Sequence, residues 1–385
     1  MLNQDKKIKT LFISSWYPNR VKPTLGNFVQ KHAEAASLFA DVTVLHVCFD
    51  KCESKFEIVQ ELQGKINTII IYINRPQIFF RKFFLYLKAY RIGLDLIIEK
   101  SGKPDIVHAN VLFPVGLVFL FLRAFKKLPF VFSEHWTGYL LEDPSKINFF
   151  RKYFTRKIAG KASCIMPVSE NLKNAMLKFG FKGNYKVIPN VVDTSVFIAK
   201  NNIASPKKNI LHVSSFDDEQ KNISGIIKVI KKLSEKRQDF TMNFISDGDQ
   251  KPFIKQAEDL SLLDKFVFFH GEKSTQAVAE MMMQSDFLLL FSNYENLPCV
   301  IVEAFASGLP VVSTDVGGIP EHLTEKHGIL VKPKDDNSLY EAIDKMLDNY
   351  TTYDKNYLHE YAVNNFSYES VGKNFLDIYS ETINR

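Results

Sequence analysis

Short runs rich in β-formers alternate with longer stretches of helical periodicity along the whole chain, and near residue 200 the pattern stops and restarts. The first series is KIKTLFIS (7–14), VTVLH (42–46), NTIIIYI (67–73), DIVHA (105–109), PFVFS (129–133), SCIMPV (163–168) and YKVIP (185–189). The second is NILHVSS (209–215), FTMNFIS (240–246), KFVFFH (265–270), DFLLLFS (286–292), PVVST (310–314) and GILV (328–331). Strands apolar on both faces must be covered on both, so this alternation predicts parallel sheets with helices on each side. Two Rossmann-like α/β domains follow, over 1–190 and 191–365, which suits a length of 385 residues. The polar stretch Lys200 to Lys208 marks the junction, or the chain crosses over from Pro189 onward. Ligands of open α/β sheets sit at the carboxyl ends of the strands. Two such domains facing each other leave a cleft, and residues just after strands are the candidates for its chemistry.

Several classes are excluded early. Four cysteines, Cys48, Cys52, Cys164 and Cys299, are too few for a disulfide framework, and no second Cys/His pair accompanies Cys48 and Cys52, so no metal site is expected. The amino terminus lacks a cleavage site, and the longest apolar run, Val111 to Leu122, is twelve residues interrupted by Pro114 and Gly116. A bilayer span needs about twenty. We therefore expect a cytoplasmic protein, free or held at the inner face of the cell membrane. Its formal charge of +6 conceals a division: 30 basic and 15 acidic side chains in the first 200 residues, 19 and 28 in the rest.

The segment Phe291 to Thr314, FSNYENLPCVIVEAFASGLPVVST, concentrates the chemistry. Pro298 suits the first position of a helix, where its missing N–H is no loss, and Gly308 with Pro310 marks the end. The helix start points into the cleft, where the amides from Leu297 to Val300, Cys299 among them, favour a phosphate at the positive end of the dipole. Glu295 precedes this helix and Glu303 lies within it; continuous helix would put them about 80° apart, within reach of one elongated ligand. Glu303 stands among Val300, Ile301, Val302, Ala304 and Phe305, so its carboxylate needs a partner.

The two glutamates, with seven residues between them within Y-E-N-L-P and E-A-F-A-S-G-L-P-V-V and followed by T-D-V-G-G-I-P-E (314–321), resemble the signature of retaining GT-B glycosyltransferases, specifically glycosyltransferase family 4. H-V-S-S-F and K-N-I-S-G (212–225), S-D-G-D (246–249), V-F-F-H-G (267–271) and V-I-P-N-V-V-D with a later Phe (187–197) also stand at family positions. The resemblance covers about residues 160–350 well and the amino-terminal half loosely. It implies a GT-B fold, two Rossmann-like parallel-sheet domains facing a central cleft, with residues 366–385 forming a helix that returns to the first domain.

By that resemblance the chain moves a hexosyl unit from a UDP- or GDP-sugar, a co-substrate and not a cofactor, with retention and without metal. Its acceptor would be a glycan or a lipid-linked sugar of cell-surface polysaccharide assembly. Front-face attack and a covalent intermediate both remain open. Glu303 would hold the ribose hydroxyls, Glu295 the hexose hydroxyls and Lys221 the diphosphate, each a charge-assisted contact. Ser214 and Ser215 stand where the family carries Gly-Arg, so a second cation is missing there. Asn296, Leu297, Cys299 and Val300 would meet the donor at the helix start, as would Ser215, Gly248 and Gly271 after their strands. Gly317 and Gly318 would allow close backbone approach to a ligand, Gly26 would lie near the transferred sugar, and His135 would stand by the reacting centre. His108 reads as architectural.

Two segments of the basic half carry aromatic and cationic residues at helical spacing, 78–100 (with Phe79, Phe83, Tyr86, Tyr90, Arg81, Lys82, Lys88 and Arg91) and 149–161, FFRKYFTRKIAGK. They suit an anionic membrane surface or the basic edge of core helices. No nucleic-acid-binding motif is present, and no nucleic-acid partner is expected. Two rivals to a transferase are an epimerase of the same fold, which would release free sugar, and a non-catalytic sugar-nucleotide-binding subunit.

Overall fold

The computed structural model describes residues 7–76, 78–118, 128–143, 147–199 and 207–384, without the side chains of Phe79 and Phe80. The polar stretch from Lys200 is described only at Lys207 and Lys208, and the apolar run from Val111 only to residue 118.

Strands β1 (Lys9–Ser14), β2 (Asp41–Asp50), β3 (Phe56–Gln63), β4 (Ile66–Asn74), β5 (Ile106–Asn110), β6 (Phe130–Glu134) and β7 (Cys164–Pro167) form one sheet in the order β3-β4-β2-β1-β5-β6-β7. Strands β8 (Lys208–Val213), β9 (Phe240–Ile245), β10 (Val267–Phe269), β11 (Phe287–Leu290), β12 (Val311–Thr314) and β13 (Gly328–Val331) form the second, in the order β10-β9-β8-β11-β12-β13. Neighbouring strands are parallel except β3, which runs antiparallel to β4. Strand order reverses between β1 and β5 and between β8 and β11, and each reversal opens a crevice at the carboxyl edge.

Two departures from the apolar-run reading have a common cause. β3 (FEIVQELQ) is an edge strand with one face in water, so it alternates instead of running apolar, and Gly64 at φ 59° turns the chain from it into β4. YKVIP is apolar enough for a strand but forms none. It lies along β7, with Lys186 N–H donating to Ile165 O and Ile188 N–H to Pro167 O, both at 3.0 Å.

The chain crosses between the sheets twice, side by side. Val192, just past Ile188, pairs with Ser367, and Val192 N–H donates to Phe366 O at 2.9 Å. The last helix, Tyr368–Ile383, then packs on the helix Asn27–Ser37 through Val371, Phe375, Ile378 and Tyr379 against Val29, Ala33 and Ala36. Their approach is close enough that Gly372 lies against Ala35 O and the Phe39 ring. A methyl group there has no room. Gly372→Ala is expected to destabilise the protein by about 1–3 kcal/mol through overpacking, measured by urea unfolding.

Candidate functional site

The carboxyl edges of both sheets meet along a line of polar contacts. After β11 the chain turns through Ser292 to Pro298 before the helix Cys299–Ala306 begins, and Pro298 is its cap, not its first residue. Glu295 is therefore placed by loop contacts and not by helical spacing. Its carboxylate is buried, forms an ion pair with Lys221, accepts from Ser292 Oγ at 2.8 Å and is approached by Gln220 Nε2 at 3.4 Å. Lys221 reaches it from the end of the short helix Asp218–Lys221 that follows β8.

Glu303 has its partner in the other domain. Lys31 of the helix Asn27–Ser37 donates to Glu303 Oε1 at 2.8 Å, with both side chains nearly covered. Burial works against the Lys31 ammonium, but Glu303, supported by Asp193, outweighs it and holds the pKa above the usual lysine value. Burial pushes the adjacent Cys299 thiol up to about 11, so it stays protonated. Around this pair lies a cavity of about 570 Å³, bounded among others by Thr24, Asn27, Thr275, Gln276, Cys299 and Glu303.

Between the two carboxylates the domains are fastened by side-chain amides. Asn296 Nδ2 donates to His135 O at 2.6 Å, and Asn190 Nδ2 donates to Leu297 O at 2.7 Å. Their Oδ1 atoms, and both ring nitrogens of His135, are buried without a hydrogen-bond partner among the described residues. So dense a group of orphaned polar atoms calls for a polar ligand or ordered water. His135 follows the buried Glu134, whose carboxylate accepts N–H bonds from Leu112, His135 and Trp136 at 3.0 to 3.1 Å. That carboxylate sets the loop carrying His135.

The predicted glycines divide. Gly271 (φ 68°) has open space where a side chain would project, so a ligand can approach its backbone. Gly248 lies against the carbonyl of Ser215, itself exposed at the end of β8. Gly317 and Gly318 lie against the protein's own backbone: a Cβ at Gly317 would strike Glu295 O, and one at Gly318 would meet Ser169 and Asn296 O. Gly318 N–H donates to Asn296 O at 2.7 Å, so this pair of glycines holds the Glu295 loop in place. Gly26 likewise serves its own chain, capping the helix Asn27–Ser37 at φ 80° against the backbone of Trp16 and Tyr17. Val300 lies half-buried in the first turn of the helix after Pro298. His108 is architectural, bonded to Tyr379 OH at 2.6 Å and Ser133 Oγ at 2.9 Å.

The residue most clearly beyond sequence reasoning is Lys31, because nothing near it in the chain predicts a carboxylate 272 positions away. Glu321 is another. It accepts from the backbone N–H groups of Glu170 and Asn171 at 2.8 and 2.7 Å, capping the helix Glu170–Phe179 of the opposite domain.

Two parallel-sheet domains, paired charges at their facing carboxyl edges and a helix start between them define the GT-B class of glycosyltransferase. The family model described as Glycosyl transferases group 1 matches residues 193–364, and that of Glycosyltransferase Family 4 matches residues 33–196. An uncharacterized glycosyltransferase of Methanocaldococcus jannaschii, MJ1178, is 30% identical over 292 residues, 74% of this chain and 77% of that one. TuaC of Bacillus subtilis, by its name a candidate glycosyltransferase of teichuronic acid biosynthesis, is 24% identical over 362 residues, 87% of this chain and 88% of that one. The crystal structure of Anabaena HepE in complex with UDP superposes with a TM-score of 0.76 at 18% identity, covering 97% of this chain and all of that one. The chain belongs to the group 1, family 4 glycosyltransferases.

Burial also sets the acid response. It lowers the pKa of His32 and His46 to about 4 and of His212 to about 3, and takes His108 and His135 well below the usual value. These rings are neutral when folded, whereas in the unfolded chain they take up protons below about 6.5. Stability is thus complete above that pH and is lost as the pH falls toward 4, by up to about 1.4 kcal/mol per pH unit and site. Melting temperature is expected to drop between pH 7 and 5, and His46→Asn, which can still donate to Ser14 O, to make that drop shallower.

Proposed function

We propose that this chain transfers a hexosyl unit from a UDP- or GDP-sugar to a glycan or lipid-linked acceptor, with retention at the anomeric carbon and without a metal ion, in cell-surface polysaccharide assembly at the cytoplasmic face of a membrane. The observation that carries the proposal is the convergence of Glu295 with Lys221, and of Glu303, on the start of the helix Cys299–Ala306. UDP in the HepE complex supports the nucleotide, and the name of TuaC supports the polysaccharide setting.

In this reading Glu303 exchanges Lys31 for the ribose hydroxyls, and Glu295 receives hydroxyls of the hexose. The bond from the anomeric carbon to the diphosphate breaks, and negative charge collects on the departing phosphate. Lys221 and the amides of the helix start offset that charge. The acceptor hydroxyl attacks from the side the phosphate leaves and gives its proton to that phosphate. His135, neutral and with two unpartnered nitrogens, lies at the same interface to accept or donate one hydrogen bond.

A thermal-shift panel of nucleoside diphosphates and their sugars is expected to single out one base, since a ligand bound only by the folded state raises the midpoint. Glu295→Ala and Glu303→Ala are each expected to lower transfer about a hundredfold, the loss of a well-placed polar contact; rates within about twofold for both would overturn these roles. Added EDTA is expected to leave the rate unchanged.

Lys31→Ala is expected to lower the melting temperature of the free protein, because it leaves Glu303 buried and unpaired. The same variant is expected to show a larger stabilisation by the nucleoside diphosphate, which then meets no competitor for Glu303. Thermal denaturation with and without the diphosphate measures both.

A further inference from the structure

The helix Phe149–Ala159 exposes what a surface helix ordinarily hides. Phe149 is 76% exposed and Phe150 72%, with Tyr153 and Phe154 also open to solvent. Its cations rest on rings and a carbonyl: Arg151 lies 4.0 Å from the Trp136 centroid, Lys152 5.0 Å from that of Phe179, and Lys157 4.7 Å from that of Tyr153, while Arg156 Nε donates to Phe179 O at 2.6 Å. Beside the helix runs a groove of about 590 Å³ lined by Phe149, Tyr153, Lys152, Arg156, Lys157 and Lys182, with two glycines and no acidic side chain. Neither the groove nor the rings serve the carboxylates between the domains.

A second exposed aromatic turn lies on the same face of the first sheet, with three strands between the two. The helix Phe79–Ser101 buries Tyr86 and Tyr90 toward the core, but Phe84 is 68% exposed and Ile78 and Phe83 stand beside it, with Arg81 and Lys82 in the same turn. The connections β4 to β5 and β6 to β7 move in the same direction across the sheet, so right-handed crossovers put both helices on one face. Residues of both, Tyr90 and Leu94 with Ile158 and Ala159, share one core cluster, whereas the helix Asn27–Ser37 packs in another. Each helix follows its strand and starts at the carboxyl edge, the edge bordering the cleft.

We propose that this face, at its carboxyl edge, is the docking surface for a bilayer containing anionic phospholipid. Phe149, Phe150 and Phe84 enter the boundary between headgroups and acyl chains, and Lys152, Arg156, Lys157 and Lys182 meet lipid phosphates. Two features select a bilayer over an acidic protein or a nucleic acid. Exposed phenylalanines stand on two separate helices of one sheet face and need an apolar phase, and the surrounding first 200 residues carry 30 basic against 15 acidic side chains. The cleft would then open beside the lipid surface. The inference rests on the membrane setting proposed above and is independent of the transfer chemistry.

The test is sedimentation of the full chain with vesicles of phosphatidylcholine alone and of equal parts phosphatidylglycerol and phosphatidylcholine. Binding is expected to the anionic vesicles only. It should fall about tenfold or more in Phe149→Ser with Phe150→Ser and in Lys152→Glu with Lys157→Glu, while transfer to a water-soluble acceptor is unchanged. Phe150→Trp, which keeps the apolar ring, should retain binding, and its fluorescence should shift to the blue on anionic vesicles; this reading stands even if the other variants fold poorly. If the unaltered chain binds neither vesicle, the docking surface and the membrane setting both fall. Should it bind and the variants bind equally with no blue shift, only the location falls. Binding to homopolymeric RNA in place of vesicles would overturn the proposal in favour of a nucleic-acid partner.

Discussion

Carboxylates buried where two domains meet must be answered by cations, and this requirement organises the centre of the molecule. Glu295 is answered from within its own domain by Lys221, and Glu303 from across the cleft by Lys31. The two solutions differ in consequence. An ion pair inside one domain can persist as the domains move, whereas one that spans them ties the Glu303 carboxylate to the relative position of both halves. Removing either partner leaves a charge with little water around it, a larger cost than the pair itself contributes.

The scaffold holds these charges in place with backbone and not with bulk. Gly317 and Gly318 let one loop lie on the carbonyls of Glu295 and Asn296, and Glu321 from the end of the same loop caps the helix Glu170–Phe179. Asn190 and Asn296 reach across with single amide bonds. The two chain crossings, at Val192 and Ser367, lie against each other, so the covalent links between domains pass through one narrow place. Two domains connected that way rotate about the crossing more readily than they separate.

Much of the fold is legible along the chain because a strand covered on both faces must be apolar throughout. Twelve of the thirteen strand positions follow from that rule, and β3 escapes it because one of its faces is wet. The site is legible in part. Glu295, Glu303 and Lys221 stand out by motif, and Glu303 also by its apolar neighbours. The glycine pair stands out for its freedom to approach closely, and the structure lays it against the protein's own backbone at Glu295 and Asn296. The aromatic helices are legible as units, yet Tyr90 turns into the core with Tyr86 packed against it while Phe83 and Phe84 turn out.

What the sequence by itself determined is therefore what periodicity and local chemistry encode: two α/β units, a helix start among acidic residues, and a basic half joined to an acidic one. Only the tertiary structure decided which charge answers which, that His135 is left with unpaired nitrogens between the domains, and that two aromatic turns stand exposed on one face of the first sheet. The reason is physical. Strand and helix preferences act over a few residues, whereas the partner of a buried carboxylate is chosen by where folding brings a cation, here from another domain and 272 positions away.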